Sequence, residues 1–180
     1  MLDREPLLRF SHYLTGRVCC LLDVADEIER NLDQAFADRE CMQGGPLMRA
    51  ETLMWLWLLG AYEVVRTMCQ ARGCFSQRLQ SDLIRLKKEL GAVRMPAAKM
   101  EKAGKKEPVT SNRSPAGLAP ATRDLLVNDP DSRPDVYARA LIASFDAVFF
   151  AIKKEDVLGD HEGSYFVATH PLQRSLARRR

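Results

Sequence analysis

A regular stripe of apolar residues near the start of the chain constrains the fold most strongly. The steps between its members alternate between four and three residues, and the stripe consists of Leu14, Val18, Leu21, Ala25, Ile28, Leu32 and Ala35. Because an α-helix turns once every 3.6 residues, this spacing places the whole stripe on one face. We therefore predict an amphipathic helix from about Thr15 to Arg39, preceded by a shorter helical piece over residues 6–13.

A second helix is predicted between the glycine pair at 44–45 and Gly73. It begins near Pro46, since proline is favoured in the first turn of a helix, and it runs to about Arg72. Almost every side chain from Leu53 to Val65 is apolar. A helix that is apolar nearly all round must be covered on several sides, so we expect this one to be the central helix.

Two further helices are predicted in the second half of the chain. The third follows Ser76, a favourable N-cap, and ends at Gly91, a favourable C-terminal stop. It carries a stripe made of Leu79, Leu83, Leu86 and Leu90. The fourth begins at a sequence resembling a capping box around Ser132, ends near Lys154, and has a wide apolar face.

A proline-rich segment, residues 92–131, separates predicted helices three and four. Neither helical nor strand periodicity persists in it, although two short extended runs, 107–110 and 124–127, are compatible with a small β-hairpin. The predicted fold class is therefore all-α: an antiparallel bundle of four main helices with a long irregular excursion between helices three and four. One bundle domain is expected over residues 1–155, followed by an irregular basic tail over 156–180.

The overall composition excludes several classes of protein. Hydrophobic residues make up 46% of the chain and charged residues 28%, which is the balance of a globular protein rather than of a disordered one. The longest apolar run, Leu53–Ala61, is far shorter than the roughly 20 residues that cross a bilayer. The five cysteines are odd in number and two of them, Cys19 and Cys20, are adjacent, which favours reduced thiols over a secreted disulfide framework. We expect a cytoplasmic protein without membrane contact.

The charge of the chain is divided unevenly. Residues 1–43 hold nine acidic and five basic residues, a net charge of −4. Because the whole chain has a net charge of +3, residues 44–180 carry +7. An acidic first helix set against basic neighbours explains this division within one bundle. The small net charge produces no strong field that would attract nucleic acid.

The chain lacks the short motifs that mark common catalytic or cofactor sites. It has no Gly-x-Ser-x-Gly sequence, phosphate-binding glycine-rich loop, dinucleotide fingerprint or paired-histidine motif. We therefore predict no catalytic residue, no cofactor and no metal site, and we leave open whether the chain is an enzyme. The run Asp160-His161-Glu162 could hold a metal, but a solvated helix end explains it equally well.

A polar arc on helix two is the best candidate for a ligand site. Glu63 and Arg66 lie one turn apart and can pair. The solvent edge of the helix, or a buried pair that fixes its register, would explain the same residues. The sharper hypothesis is a polar pocket between helices that binds a small ligand or serves an enzyme, formed by Tyr62, Glu63, Arg66 and Gln70.

A basic stretch around residue 100 is a weaker candidate, for binding RNA. It consists of Arg94, Lys99, Lys102, Lys105 and Lys106, which could contact phosphates. Glu101 and Glu107 dilute its charge, and no aromatic residue is interleaved to stack on bases. We therefore do not expect nucleic acid as a partner, and an RNA-binding bundle is kept only as an alternative.

Apolar surface left over on two helices predicts a second chain. Helix two has more apolar surface than three neighbours of this size would cover. Ile142 and Phe149 of helix four lie on its more polar side, with Arg139 and Asp146. Such faces are typical of oligomer interfaces. We predict a homodimer through helices two and four, and a non-catalytic protein-interaction module as the function, with a protein partner bound through the 92–131 segment as one form of it.

Overall fold

The fold consists mainly of four α-helices. The computed structural model describes residues 6–38, 41–99, 101, 107–108, 117–128 and 134–159. The helices are α1 (His12–Ala35), α2 (Gly44–Gln70), α3 (Gln77–Lys99) and α4 (Ala138–Phe150). Two short strands, β1 (Gly117–Ala119) and β2 (Asp124–Leu126), accompany them. Helical residues account for 75% of those described, so the predicted helical class is confirmed.

α1 buries the stripe that the sequence predicted for it. All of the stripe residues from Leu14 to Ala35 lie in the core. The helix begins earlier than predicted because Ser11 caps it: the Ser11 Oγ accepts a hydrogen bond from the Leu14 backbone N–H at 3.2 Å. A short 3₁₀ turn, Pro6–Arg9, precedes it within the predicted helical piece.

α2 contacts both α1 and α3. Trp57 is buried at its centre, where its indole Nε1 donates a hydrogen bond to the Leu21 carbonyl oxygen at 3.1 Å. The ring of Phe145 from α4 meets the Trp57 ring edge-on, with the centroids 5.3 Å apart. Gly60 permits the close approach of α1, since a Cβ there would lie 3.0 Å from the Leu21 Cδ2. Coverage by several neighbours agrees with the apolar sequence of α2.

α3 continues eight residues beyond Gly91, where the sequence predicts its end. The leucine stripe extends in the same four-and-three spacing through Val93 and Ala97, and both are buried. Gly91 is a point of close packing rather than a stop, because a Cβ there would lie 3.4 Å from a ring carbon of Tyr62. The predicted start of the irregular segment at residue 92 is therefore wrong, and residues 92–99 belong to α3.

The two strands form an antiparallel sheet, in which Leu118 lies opposite Leu125. β2 falls within the predicted extended run at 124–127. Its partner is β1 and not the predicted run at 107–110, of which residues 109 and 110 lie outside the described residues. Buried Asp124 joins the sheet to α4, because its carboxylate accepts a hydrogen bond from the Arg139 backbone N–H at 3.3 Å.

α4 is covered on more sides than the sequence suggested. It contacts α3, β2 and α1. Ile142 and Phe149 are only 1% and 8% exposed and belong to the core of the same chain. The prediction that these two residues form part of a dimer interface is therefore wrong, since intramolecular neighbours already cover them.

The end of the described chain is attached to the junction between α2 and α3. Val157 forms a β-bridge with Phe75, and the Leu158 backbone N–H donates to the Cys74 carbonyl oxygen at 2.8 Å. The ring of Phe10, just before α1, lies 4.6 Å from that of Phe75. Residues 156–159, predicted to begin an irregular tail, are thus packed on the fold. Residues 160–180 lie outside the described residues.

Candidate functional site

An open groove with a volume of about 630 Å³ runs between α1 and α2. Its lining includes His12, Gly16 and Arg17 from α1, and Gly60, Glu63 and Val64 from α2. Gly16 helps to keep the groove open, because a Cβ there would have no neighbour within 4 Å. The opening that reaches Glu63 is thus a mostly apolar surface groove, where the sequence predicted a polar pocket between helices.

Glu63 lies at the rim of this groove within a cluster of guanidinium groups. The Arg66 Nε donates to the Glu63 Oε2 at 2.7 Å, which is the pair that the helical spacing allows. The Arg94 Nη2, from α3, lies 3.5 Å from the Glu63 Oε1. The Arg94 Cζ also lies 4.9 Å from the centre of the Tyr62 ring. Two cations therefore neutralise one carboxylate that is itself partly exposed.

The structure brings together three of the four residues predicted to bind a ligand. Glu63, Arg66 and Arg94 form one ion cluster, and the ring of Tyr62 lies against Arg94 within it. Gln70 is the exposed last residue of α2, about 10 Å from Glu63 along the helix axis at 1.5 Å per residue. It does not belong to the cluster.

The basic stretch proposed for RNA is only partly described. Arg94 faces Glu63 and Tyr62 within the fold. Lys99 ends α3, and its side chain is outside the described part. Lys102, Lys105 and Lys106 lie outside the described residues altogether. RNA binding by this stretch stays a prediction.

Sequence reasoning missed Arg17, which stands exposed on the α1 side of the groove. It forms no ion pair with any residue that the structure describes. The lack of an ion pair between Arg17 and the described residues could have been inferred from the sequence. The positions three and four residues away are Tyr13, Leu14, Cys20 and Leu21, so no acidic residue is placed to pair with it on the helix.

The thiols and carboxylates do not assemble a metal centre in the described parts of the chain, where no group of three or more metal-ligating side chains occurs. All five cysteines are described, and none of them is joined to another in a disulfide. Burial raises the pKa of the Cys69 thiol, with weaker opposing effects from Lys87 and Arg72. The run Asp160-His161-Glu162 lies outside the described residues.

None of the described helices is long and apolar enough to span a membrane.

Comparisons of the chain with known protein families, with curated proteins and with solved structures found no match.

Proposed function

We propose that the chain is a protein-interaction module that forms a homodimer through the outer face of α2. This outer face consists of Met48, Thr52, Trp55, Leu56 and Leu59. At 100° per residue these positions fall within an arc of roughly 100° on the helix. Met48 is 69% exposed, Leu56 51% and Trp55 38%. This exposed apolar face on the central helix is the observation that carries the proposal, because such contiguous patches commonly mark interaction sites.

Trp55 is well placed to anchor the interface. Its indole Nε1 donates a hydrogen bond to the Ala97 carbonyl oxygen of α3 at 3.1 Å, which fixes the ring while part of it stays exposed. Tryptophan is enriched among the residues that contribute most to binding. A side chain already held in one position loses little conformational entropy when a partner covers it.

The outer face suits a second copy of the same chain. A two-fold interface uses the same patch on both subunits, so the patch must be compatible with itself. The five residues of the outer face carry no charge. Glu63 and Arg66, which continue the same arc further along α2, pair with each other, so their opposite charges offset there. Because Ile142 and Phe149 are buried within the chain, they no longer support α4 as part of the dimer interface. The proposed interface is therefore confined to α2.

The molar mass in solution tests the proposal. Light scattering at micromolar concentration should give twice the 20.3 kDa of one chain. A Leu56→Glu variant places a charge in the outer face and should yield monomers. Ile84→Glu is the matched control, since Ile84 on α3 is 56% exposed but lies outside the outer face, and it should remain dimeric. A monomeric wild type, or a dimer unaffected by Leu56→Glu, contradicts the proposal.

The antiparallel four-helix bundle is retained as the proposed arrangement. Contacts of α1 with α2, of α2 with α3 and of α3 with α4 support it. Short connections join α1 to α2 and α2 to α3, and short connections favour antiparallel neighbours in helical bundles. A second candidate function, small-ligand binding, is favoured by one observation, the groove that reaches Glu63.

A further inference from the structure

We propose that the groove between α1 and α2 binds a small amphiphilic molecule with an apolar body and one anionic group, and that Arg17 receives the anion. The ligand class is an apolar carboxylate or sulfonate of a few rings or a short chain. This site uses the α1 side of α2. It does not depend on the dimer proposed above.

The size and surface of the groove fit such a ligand. Small-molecule sites occupy roughly 300–1,000 Å³, and the groove has about 630 Å³. Leu21 lies against Gly60 at the α1–α2 contact, and Val64 continues the apolar surface on α2. Gly16 leaves the space above this floor unfilled. An apolar body can therefore replace water over a continuous apolar floor.

The charges around the groove select an anion. Glu63 is the single acidic residue among those described as lining it, and Arg66 and Arg94 neutralise that carboxylate. Arg17 adds a cation that is not paired with any described residue. Arg17 is the one guanidinium group among the described lining residues, and the carboxylate of Glu63 is already paired with Arg66 and Arg94, which lie outside that lining. An anion can bind Arg17 without separating an existing pair, and Arg pairs well with carboxylate-like groups.

A pair of fluorescent probes tests the site in the full chain. 8-Anilinonaphthalene-1-sulfonate has an aromatic body and one anionic group, and N-phenyl-1-naphthylamine is its neutral counterpart. We expect saturable binding of the sulfonate probe at one site per chain. Arg17→Met should lower the affinity for the sulfonate probe about three- to tenfold, because a charged hydrogen-bond donor is lost at an exposed position. The same variant should leave the affinity for the neutral probe unchanged.

The Arg17→Met variant has a matched control on the same helix. Arg30 is also exposed on α1 but does not line the groove. Arg30→Met changes the net charge by the same amount and should leave both affinities unchanged. Equal weakening of the sulfonate probe by the two variants would show that net charge alone is responsible, and would overturn the role of Arg17.

A second variant tests the groove itself by filling it. Gly16→Leu places an apolar side chain where a Cβ has open space, so the fold should tolerate it while both probes lose their site. Gly45→Leu is the matched control, since a Cβ at Gly45 also meets nothing within 4 Å and Gly45 lies outside the groove. Probe binding that persists in Gly16→Leu overturns the proposal.

The same probes separate this site from the proposed dimer interface. Leu56→Glu should abolish the dimer and leave probe affinity intact. If Leu56→Glu removes probe binding and Gly16→Leu does not, the probes bind the outer face of α2 and the groove proposal is wrong. The homodimer proposal is judged independently by the molar mass.

Discussion

The guanidinium group of Arg78, in the first turn of α3, is ion-paired with the buried carboxylate of Asp156, which lies 78 residues later. The Arg78 Nη2 donates to the Asp156 Oδ2, and the Ser76 Oγ donates to the Oδ1 at 2.6 Å. The Lys153 backbone N–H adds a further hydrogen bond at 3.0 Å. Burial alone would raise the pKa of Asp156, but these donors outweigh it and lower the pKa from 3.8 to about 2.

We expect Asp156→Asn to lower the free energy of unfolding by about 2 kcal/mol at pH 7. The pKa of Asp156 is lower in the folded than in the unfolded chain. Its charged form therefore stabilises the fold above pH 3.8, and this contribution is lost as the pH falls towards about 2. Urea denaturation of both proteins across this pH range measures the difference, which should shrink as the pH falls.

Asp82→Asn provides the control for the preceding variant. Asp82 also pairs with Arg78, at 3.5 Å, but in a partly exposed position. Exposed pairs contribute roughly 0–1 kcal/mol, so this variant should lose at most that amount. Equal losses from Asp82→Asn and Asp156→Asn would show that burial of the Asp156 pair is not decisive.

We expect Asp146→Asn to stabilise the fold. Burial raises the pKa of Asp146 on α4, and the negative charges of Glu29 and Asp26 on α1 raise it further. No described residue donates a hydrogen bond to the Asp146 Oδ1. Because the pKa is higher in the folded chain, the charged form destabilises it above that pKa. Removal of the charge should raise the free energy of unfolding at pH 7 by about 0.5–1 kcal/mol.

The gain from Asp146→Asn should disappear as the pH falls through the raised pKa, since Asp146 is then protonated in the parent protein as well. Thermal melting at pH 7 and at low pH measures this. Asp33→Asn is the control, because Asp33 on α1 accepts a hydrogen bond from the Arg139 Nη2 at 2.7 Å and its removal should be neutral or slightly destabilising. A less stable Asp146→Asn variant at pH 7 would contradict the prediction.

Two glycines in neighbouring helices should respond differently to alanine. Gly16→Ala should raise the free energy of unfolding by about 0.5–1 kcal/mol, because alanine is the better helix former and its Cβ meets nothing within 4 Å. Gly60→Ala should raise the free energy of unfolding by less, because its Cβ would lie 3.0 Å from the Leu21 Cδ2 and Leu21 would have to shift. Chemical denaturation of the two variants compares them, and a larger gain at Gly60 would contradict the packing of α1 on α2.

The existence of the four helices could be predicted because apolar spacing reports directly which residues share a buried face. The ends of the helices were harder to place. Ser11 and Gly91 illustrate why: a serine caps a helix only if the backbone turns there, and a glycine ends a helix or allows close packing depending on its neighbour. The neighbour of Gly91 is Tyr62, a tertiary contact that spacing along the chain does not contain.

In the candidate site, too, spacing along the chain predicts contacts within one helix but not contacts between helices. The pairing of Glu63 with Arg66 follows from their separation of three residues on one helix. The contact of Glu63 with Arg94 depends on how α3 lies against α2, and on α3 continuing past Gly91. The groove beside Arg17 depends on the separation of α1 from α2, which helix periodicity cannot supply.

The two tryptophans of α2 lie in different surroundings, so their fluorescence responds to different events. Trp57 is enclosed between α1 and α4, so its emission follows the global unfolding of the fold. Trp55, two residues away, is partly exposed to solvent, so its emission responds to whatever covers the outer face of α2. Single replacement of either indole by phenylalanine would isolate the other, and the chain would then report its own folding or its own association without an added label.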